Sequence, residues 1–200
     1  MNLRSLEGPN GQPEDDADRV ARARAGDTRA FDDLVRAHQD RVYNLLLRFL
    51  NNRDHAGEVA ERVFINAWTQ LKNFKGDSRF STWLYRIAFN ESVTFRRYEG
   101  RRRAASIYSE EEGGLAVDPA DDRDPSEPLH AEDARRTLER ALSHLDDDDR
   151  RILLLREVEG LPYEEIAAAL DVPVGTVRSR LHRAREALRE RLKVRSGTRP

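Results

Sequence analysis

The sequence predicts an all-α protein of two small helical domains joined by a flexible acidic linker. Three observations carry this. Apolar residues recur at steps of three and four along most of the chain. No stretch of useful length alternates apolar and polar residues as a strand would. Across residues 109–128 the pattern breaks into EEE, GG and three prolines, Pro119, Pro125 and Pro128, set among aspartates. Such composition cannot bury enough apolar surface to offset chain entropy, so it reads as a linker.

The expected boundaries are a disordered N-terminus over 1–16, a first domain over 17–103, the linker over 104–130, a second domain over 131–193 and a tail over 194–200. In the first domain, Phe31, Leu34, Val35, His38, Val42, Leu45, Leu46, Phe49 and Leu50 keep helical spacing, and Gly26-Asp27 divides 17–50 into a short and a long helix. A second helix over 58–71 carries Val59, Val63, Phe64, Ala67, Trp68 and Leu71. Residues 73–81 (NFKGDSRFS) form a loop. A third helix over 82–97 is aromatic at its start and basic at its end. In the second domain, helices are expected over 134–145, 147–157, 163–170 and 174–193. Gly160 and Asp171-Val172-Pro173 supply the turns.

Composition excludes several function classes. There is no cysteine, hence no disulfide, thiol nucleophile or cysteine metal site. No apolar run approaches the roughly 20 residues needed to span a bilayer. The polar, acidic N-terminus has no signal core, which leads to the expectation of a cytoplasmic chain without membrane insertion. The net charge of −2 hides a segregated distribution. Basic residues collect at Arg96, Arg97, Arg101, Arg102 and Arg103 and again over 178–195, with acids over 110–133 between them. Two basic patches of this kind suit nucleic acid.

The strongest local signal is LPYEEIAAALDVPVGTVRSRLHRAREALRERL: a short helix, a tight turn and a longer helix, the parts of a helix-turn-helix. On the longer helix Val174, Val177, Leu181, Ala184 and Leu188 form one stripe, expected to be buried. Thr176, Ser179, His182 and Arg183 face the other way, where a major groove would lie, with Arg178, Arg180 and Arg185 on the flanks. Small alanines in the first helix permit a close crossing. Pro162 stands where a serine or threonine N-cap often does, which removes a capping box with Glu165.

With these parts in place, the sequence resembles the extracytoplasmic-function (ECF) sigma factors of the bacterial sigma-70 family. AGDTRAFDDLVRAHQDRVYNL, FKGDSRFSTWLYRIAFN and LPYEEIAAALDVPVGTVRSRLHRARE stand in the family's order, and the resemblance covers nearly the whole chain after Ala17. It implies an RNA polymerase sigma factor, active in a stress or envelope response. Such a factor binds core RNA polymerase through the beta-prime coiled coil and beta flap and directs promoter-specific initiation. An anti-sigma factor is a further implied partner. The first domain is similar to region 2. There the resemblance gives Asp54, Glu58, Glu61, Arg62 and Phe64 as core-binding residues. The family usually shows a glutamine-glutamate pair where this chain has Glu61-Arg62, so one charge is reversed. By similarity Phe74 and Asn90 line a pocket for a base flipped from the minus 10 strand, a ring and an amide suiting a splayed base. Lys75, Arg79, Arg86, Arg96 and Arg97 are the matching phosphate contacts. Trp83, Leu84, Ile87 and Ala88 read as core, and Phe80 fits either role. The second domain is similar to region 4, and carries the expected minus 35 contacts Arg156, Pro173, Gly175, Thr176, Arg178, Ser179, His182 and Arg183. His182 stands where some members carry an aromatic residue.

No Walker loop, G-x-S-x-G or H-E-x-x-H is present, so no catalytic residue, metal ligand or cofactor is expected. The acidic run 146–149 reads as an N-terminal helix turn whose carboxylates diverge. The alternative to a sigma factor is an autonomous helix-turn-helix regulator, which leaves the region 2 resemblance unexplained.

Overall fold

Among the described residues the architecture is eight α-helices, and their caps set its corners. The structure, a computed structural model, describes residues 13–107 and 129–196. The expected linker falls largely outside the described residues, as do residues 1–12 and 197–200. In order the elements are α1 (Pro13–Arg24), α2 (Thr28–Leu50), α3 (Arg53–Gln70), a 3-10 turn (Leu71–Asn73) and α4 (Phe80–Ile107). Then come α5 (Leu129–Ser143), α6 (Asp147–Leu153), a π-helical turn (Leu154–Val158), α7 (Tyr163–Leu170) and α8 (Val174–Ser196).

Local chemistry explains several of these boundaries. Asp27 caps α2 by accepting from the Arg29 and Ala30 amides at 3.0 and 3.2 Å. Asn51 ends α2 in the left-handed conformation (φ 52°), and the next residue, Asn52, caps α3 by accepting from His55 N at 2.9 Å. Two adjacent asparagines therefore turn one helix into the next. Asp146 caps α6 through Asp149 N at 2.8 Å.

Several helices run longer than the sequence pattern predicts. Helix α3 begins at Arg53 rather than 58, and α4 continues to Ile107 rather than 97. Helix α1 begins at Pro13 rather than 17. Asp16, placed by the sequence in a disordered end, is instead buried and bonded to buried His38 of α2 at 2.8 Å. The expected helix over 147–157 gives way to a π turn after Leu153. Its apolar run reads equally well in either helical register, so the pattern could not show the change.

Two apolar clusters fill the molecule. One lies within the N-terminal half, where α2, α3 and α4 meet at Leu34, Val42, Leu46, Val59, Val63 and Leu84. The other gathers Ile152, Leu155, Ile166, Val177, Leu181 and Ala184 of the C-terminal half. This second cluster also contains Leu45 and Phe49 of α2 and Tyr85 and Phe89 of α4. The two halves thus share a core. Val174, the first residue of α8, departs from its expected stripe and is 42% exposed.

Phe49 tests the shared core. Its side chain is fully buried in the cluster that crosses between halves. Phe49→Ala should cost about 3–5 kcal/mol in urea unfolding. A cost below about 1 kcal/mol, ordinary for an exposed position, would mean that the halves do not pack in solution.

Candidate nucleic-acid interface

The first candidate surface is the start of α4 and the loop before it. Phe74 follows the 3-10 turn and is buried, its ring 5.0 Å from Trp83 and 6.0 Å from Phe80. Phe80, Trp83, Leu84, Ile87 and Ala88 are all core. Phe74 and Asn90 therefore lie in different settings, one inside the aromatic cluster and one exposed on α4 beside Arg151 and Asp171. Lys75, Arg79, Arg86 and Arg97 are exposed, and Arg96 is half-buried. Arg79 Nε lies 3.1 Å from a Glu165 carboxylate oxygen, and Arg96 pairs with Asp147.

The second surface is α8. Pro173, Gly175, Arg178, Ser179, His182 and Arg183 are exposed, and Thr176 is half-buried. Val177, Leu181 and Ala184 anchor the opposite face in the core. The arginines differ in freedom. Arg183 donates through Nη2 and Nε to buried Asp149, at 2.9 and 3.3 Å. This hydrogen bond, then the charge of Asp149, raises its guanidinium pKa. Arg185 donates twice to Glu157, and Arg180 lies 3.7 Å from Asp148. Arg156 donates to the Leu161 carbonyl at 2.8 Å, its guanidinium 5.3 Å from the centre of the Tyr163 ring. The acidic run 146–149 therefore diverges: Asp146 caps a helix, Asp147 meets Arg96, Asp148 meets Arg180, and Asp149 meets Arg183.

A third surface lies between α2 and α3. Val59, Val63 and Ala67 face inward as the spacing predicts. Trp68 and Ile65 do not; they are 41% and 58% exposed beside a groove of about 730 Å3 lined by Phe31, Val35, Tyr43 and Phe64. Glu61 and Asp40 stand on its border. Asp54 and Glu58 are exposed, and Arg62, the reversed charge, bonds Glu58 at 2.6 Å and sits over the Phe95 ring.

Comparison with known proteins fits both halves. Residues 34–102 match the family model for sigma-70 region 2, and residues 135–188 match that for sigma-70 region 4. The RNA polymerase sigma-H factor of Pseudomonas aeruginosa is 42% identical over 180 residues, covering 88% of this chain and 92% of that protein. The ECF RNA polymerase sigma-E factor of Escherichia coli K12 is 41% identical over 175 residues, covering 84% and 90%. The chain belongs to the ECF sigma factors of the sigma-70 family. Solved structures agree. CnrH, in complex with the cytosolic domain of CnrY, matches with TM-score 0.66 and 28% identity over 90% of this chain and 98% of that one. The sigma factor RpoE of Bartonella quintana, in complex with the anti-sigma factor NepR, matches with TM-score 0.63 and 27% identity, covering 82% and 97%. These matches span regions 2 and 4 together, which an autonomous helix-turn-helix regulator leaves unexplained.

Sequence reasoning missed the residues that join regions 2 and 4 of this sigma factor. Buried Arg150 donates to the carbonyls of Leu142, Ser143, Leu145 and, across the boundary, Phe49 at 2.7 Å. Burial, then nearby Arg96, lowers its guanidinium pKa. Glu159, its side chain 6% exposed, accepts from Tyr85 Oη and from Arg41 at 3.1 Å. Burial and then the Glu159 charge push the Tyr85 phenol far above its usual range. One signal existed: with Pro162 as cap, Glu165 has no local partner to claim it.

The Arg183–Asp149 pair makes a spectroscopic prediction. The Arg183 Nε–H should give an NMR signal protected from solvent exchange, and Asp149→Ala should abolish that protection. Equal exchange in both proteins would show that Arg183 is free rather than held.

Proposed function

We infer that this ECF sigma factor docks on core polymerase through the α2–α3 face and reads promoter DNA with the start of α4 and the outer face of α8. The observation that carries the reading is the pair of differently built faces. One is an apolar groove with Trp68 and Ile65 exposed beside it. The other is a helix with a packed stripe behind and short polar groups in front. An apolar groove bordered by acids suits an amphipathic helix of a coiled coil. On this reading Asp54, Glu58, Glu61 and Phe64 contribute to core binding, and Arg62 tempers Glu58 rather than opposing a partner charge directly.

On α8, Ser179 and His182 are the side chains freest to meet base edges, while Arg178 suits a phosphate. Arg183 reaches a base only by leaving Asp149 or by working from a fixed position beside it. Thr176, Gly175 and Pro173 bring the helix start to the backbone, and Arg156 adds a flanking contact. For the minus 10 strand, Asn90 and Arg86 are accessible, with Lys75 and Arg97 beside them. Phe74 can stack on a base only after the aromatic cluster rearranges. The chain contributes specificity to chemistry carried out by the polymerase and works in the cytoplasm. No helix among the described residues is long and apolar enough to cross a membrane. An anti-sigma factor, as in the Bartonella quintana complex, is the expected regulator.

Run-off transcription with purified core polymerase tests the reading. The wild-type chain should direct specific transcripts, and Trp68→Ala should weaken core binding by about 30-fold, the scale of an interface hot spot of ~2 kcal/mol. Undiminished co-purification of Trp68→Ala with core would remove the groove from the docking surface.

Holoenzyme binding to minus 35 variants across a salt series separates the α8 contacts. Ser179→Ala or His182→Ala should relax preference at one base at a cost of about 1–3 kcal/mol. Arg178→Ala should weaken all sequences alike and lower the salt slope by roughly one unit. Equal losses on every variant for all three substitutions would place the whole helix on the backbone.

A further inference from the structure

Helix α1 lies against α2, the 3-10 turn and α4. Val20 and Ala23 bury its apolar side in the region 2 core. Asp16 of α1 is buried as well, and so is its partner, His38 of α2. The bond between them is 2.8 Å long. A carboxylate only accepts, so His38 Nε2 carries the proton and donates to Asp16 Oδ2. The other oxygen, Oδ1, is buried and accepts no hydrogen bond among the described residues; Arg19 Nη1 stands 3.8 Å from it.

The imidazole passes its constraint on. Its ring meets the Phe80 ring edge-on, with centres 5.5 Å apart. Phe80 in turn packs against Phe74 at 6.0 Å and Trp83 at 5.7 Å, and Phe74 lies 5.0 Å from Trp83. Contacts between rings are directional. A line of contacts therefore runs from α1 through α2 to Phe74, which stands between the 3-10 turn and α4.

Stability alone does not account for the pair. A buried carboxylate is costly unless it is paired and hydrogen-bonded, and here one oxygen goes unbonded. Apolar side chains of similar size in place of a buried ionic pair are often as stable or more so. What the polar pair adds is direction. The bond fixes the plane of the imidazole, and that plane fixes where Phe80 rests. Phe74 must leave its seat to stack on a base. With Phe80 held, the vacated seat persists; with Phe80 loose, its close-packed neighbours collapse into it.

We propose that Asp16 and His38 are a positioning pair that holds the Phe80 ring and, through it, the seat of Phe74, so that the N-terminal helix governs which base the minus 10 loop accepts. The proposal rests on the assignment of Phe74 and Asn90 to minus 10 DNA. Neither Asp16 nor His38 touches the strand; both act through Phe80.

Full-length variants assembled with core polymerase test this. Asp16→Leu with His38→Phe keeps an apolar contact and removes the bond. Asp16→Asn still accepts from Nε2. Each holoenzyme is mixed with a pool of single-stranded DNA randomised at every position, and the bound strands are sequenced. Circular dichroism confirms the helices. Wild type should enrich one base at one position. The double variant should lose about tenfold of that preference, the order of one base contact, and Asp16→Asn should keep it. A merely structural role would weaken binding to all strands alike and leave the preference unchanged. If the double variant does not fold, Asp16→Ala takes its place with the same expected loss. Full preference without the bond overturns the proposal. Equal loss in Asp16→Asn also overturns it, because charge rather than the bond would then be the cause. If Phe74→Ala and Asn90→Ala leave the preference intact, or wild type shows none, the minus 10 assignment fails and the role of the pair fails with it.

Discussion

Phe49 stands in the last turn of α2 with its ring inside an apolar cluster and its carbonyl bound by two guanidinium groups, Arg96 from region 2 and Arg150 from region 4. The rest of the arrangement hangs on this junction. A helix end leaves carbonyls without intrahelical partners, and a buried end must find donors elsewhere. Here the donors come from both sides of the boundary. Arg96, Arg150 and Arg151 also stand 4.7–5.7 Å from the centre of the Phe49 ring, where cations are attracted to the aromatic face. Among the described residues Arg150 pairs with no carboxylate; carbonyls at the end of α5 and of α2 accept from it. Undocking region 4 would take from this buried cation its bond to Phe49.

The charge distribution follows the same logic. Acids of α6 and the π turn are matched one by one to arginines on α4 and α8, some 30 to 50 residues away. Those arginines belong to the two basic patches, so part of the charge that suits DNA is engaged inside the protein. Surface pairs of this kind contribute little to stability each. Their effect here is on availability: a phosphate must compete with Asp147 for Arg96 and with Glu165 for Arg79.

Much of this was legible in the sequence. Val177, Leu181 and Ala184 form the packed stripe of α8 because a period of 3.6 fixes which side they share. The same spacing placed Val59, Val63 and Ala67 inside. It could not place Trp68, because a stripe facing a partner groove and a stripe facing the core have one period. It placed Val174 wrongly, because periodicity fixes which side a residue shares and not whether a neighbour covers that side at the helix start. Arg183 fell on the open face as predicted, but its tie to Asp149 joins residues 34 apart and leaves no local pattern. The shared core was invisible for a similar reason. Tyr85 and Phe89 lie at ordinary apolar spacing, and nothing in that spacing says that α4 is buried from both sides.

The central claim is that regions 2 and 4 are docked in the free chain. Absence of native cysteine allows two spin labels to be introduced cleanly, at exposed Asn44 on α2 and exposed Ala168 on α7. Pulsed electron paramagnetic resonance then reads the distance between regions directly. The account predicts one short, narrow distance distribution for the free protein. A broad distribution reaching to the span of an extended linker would contradict it.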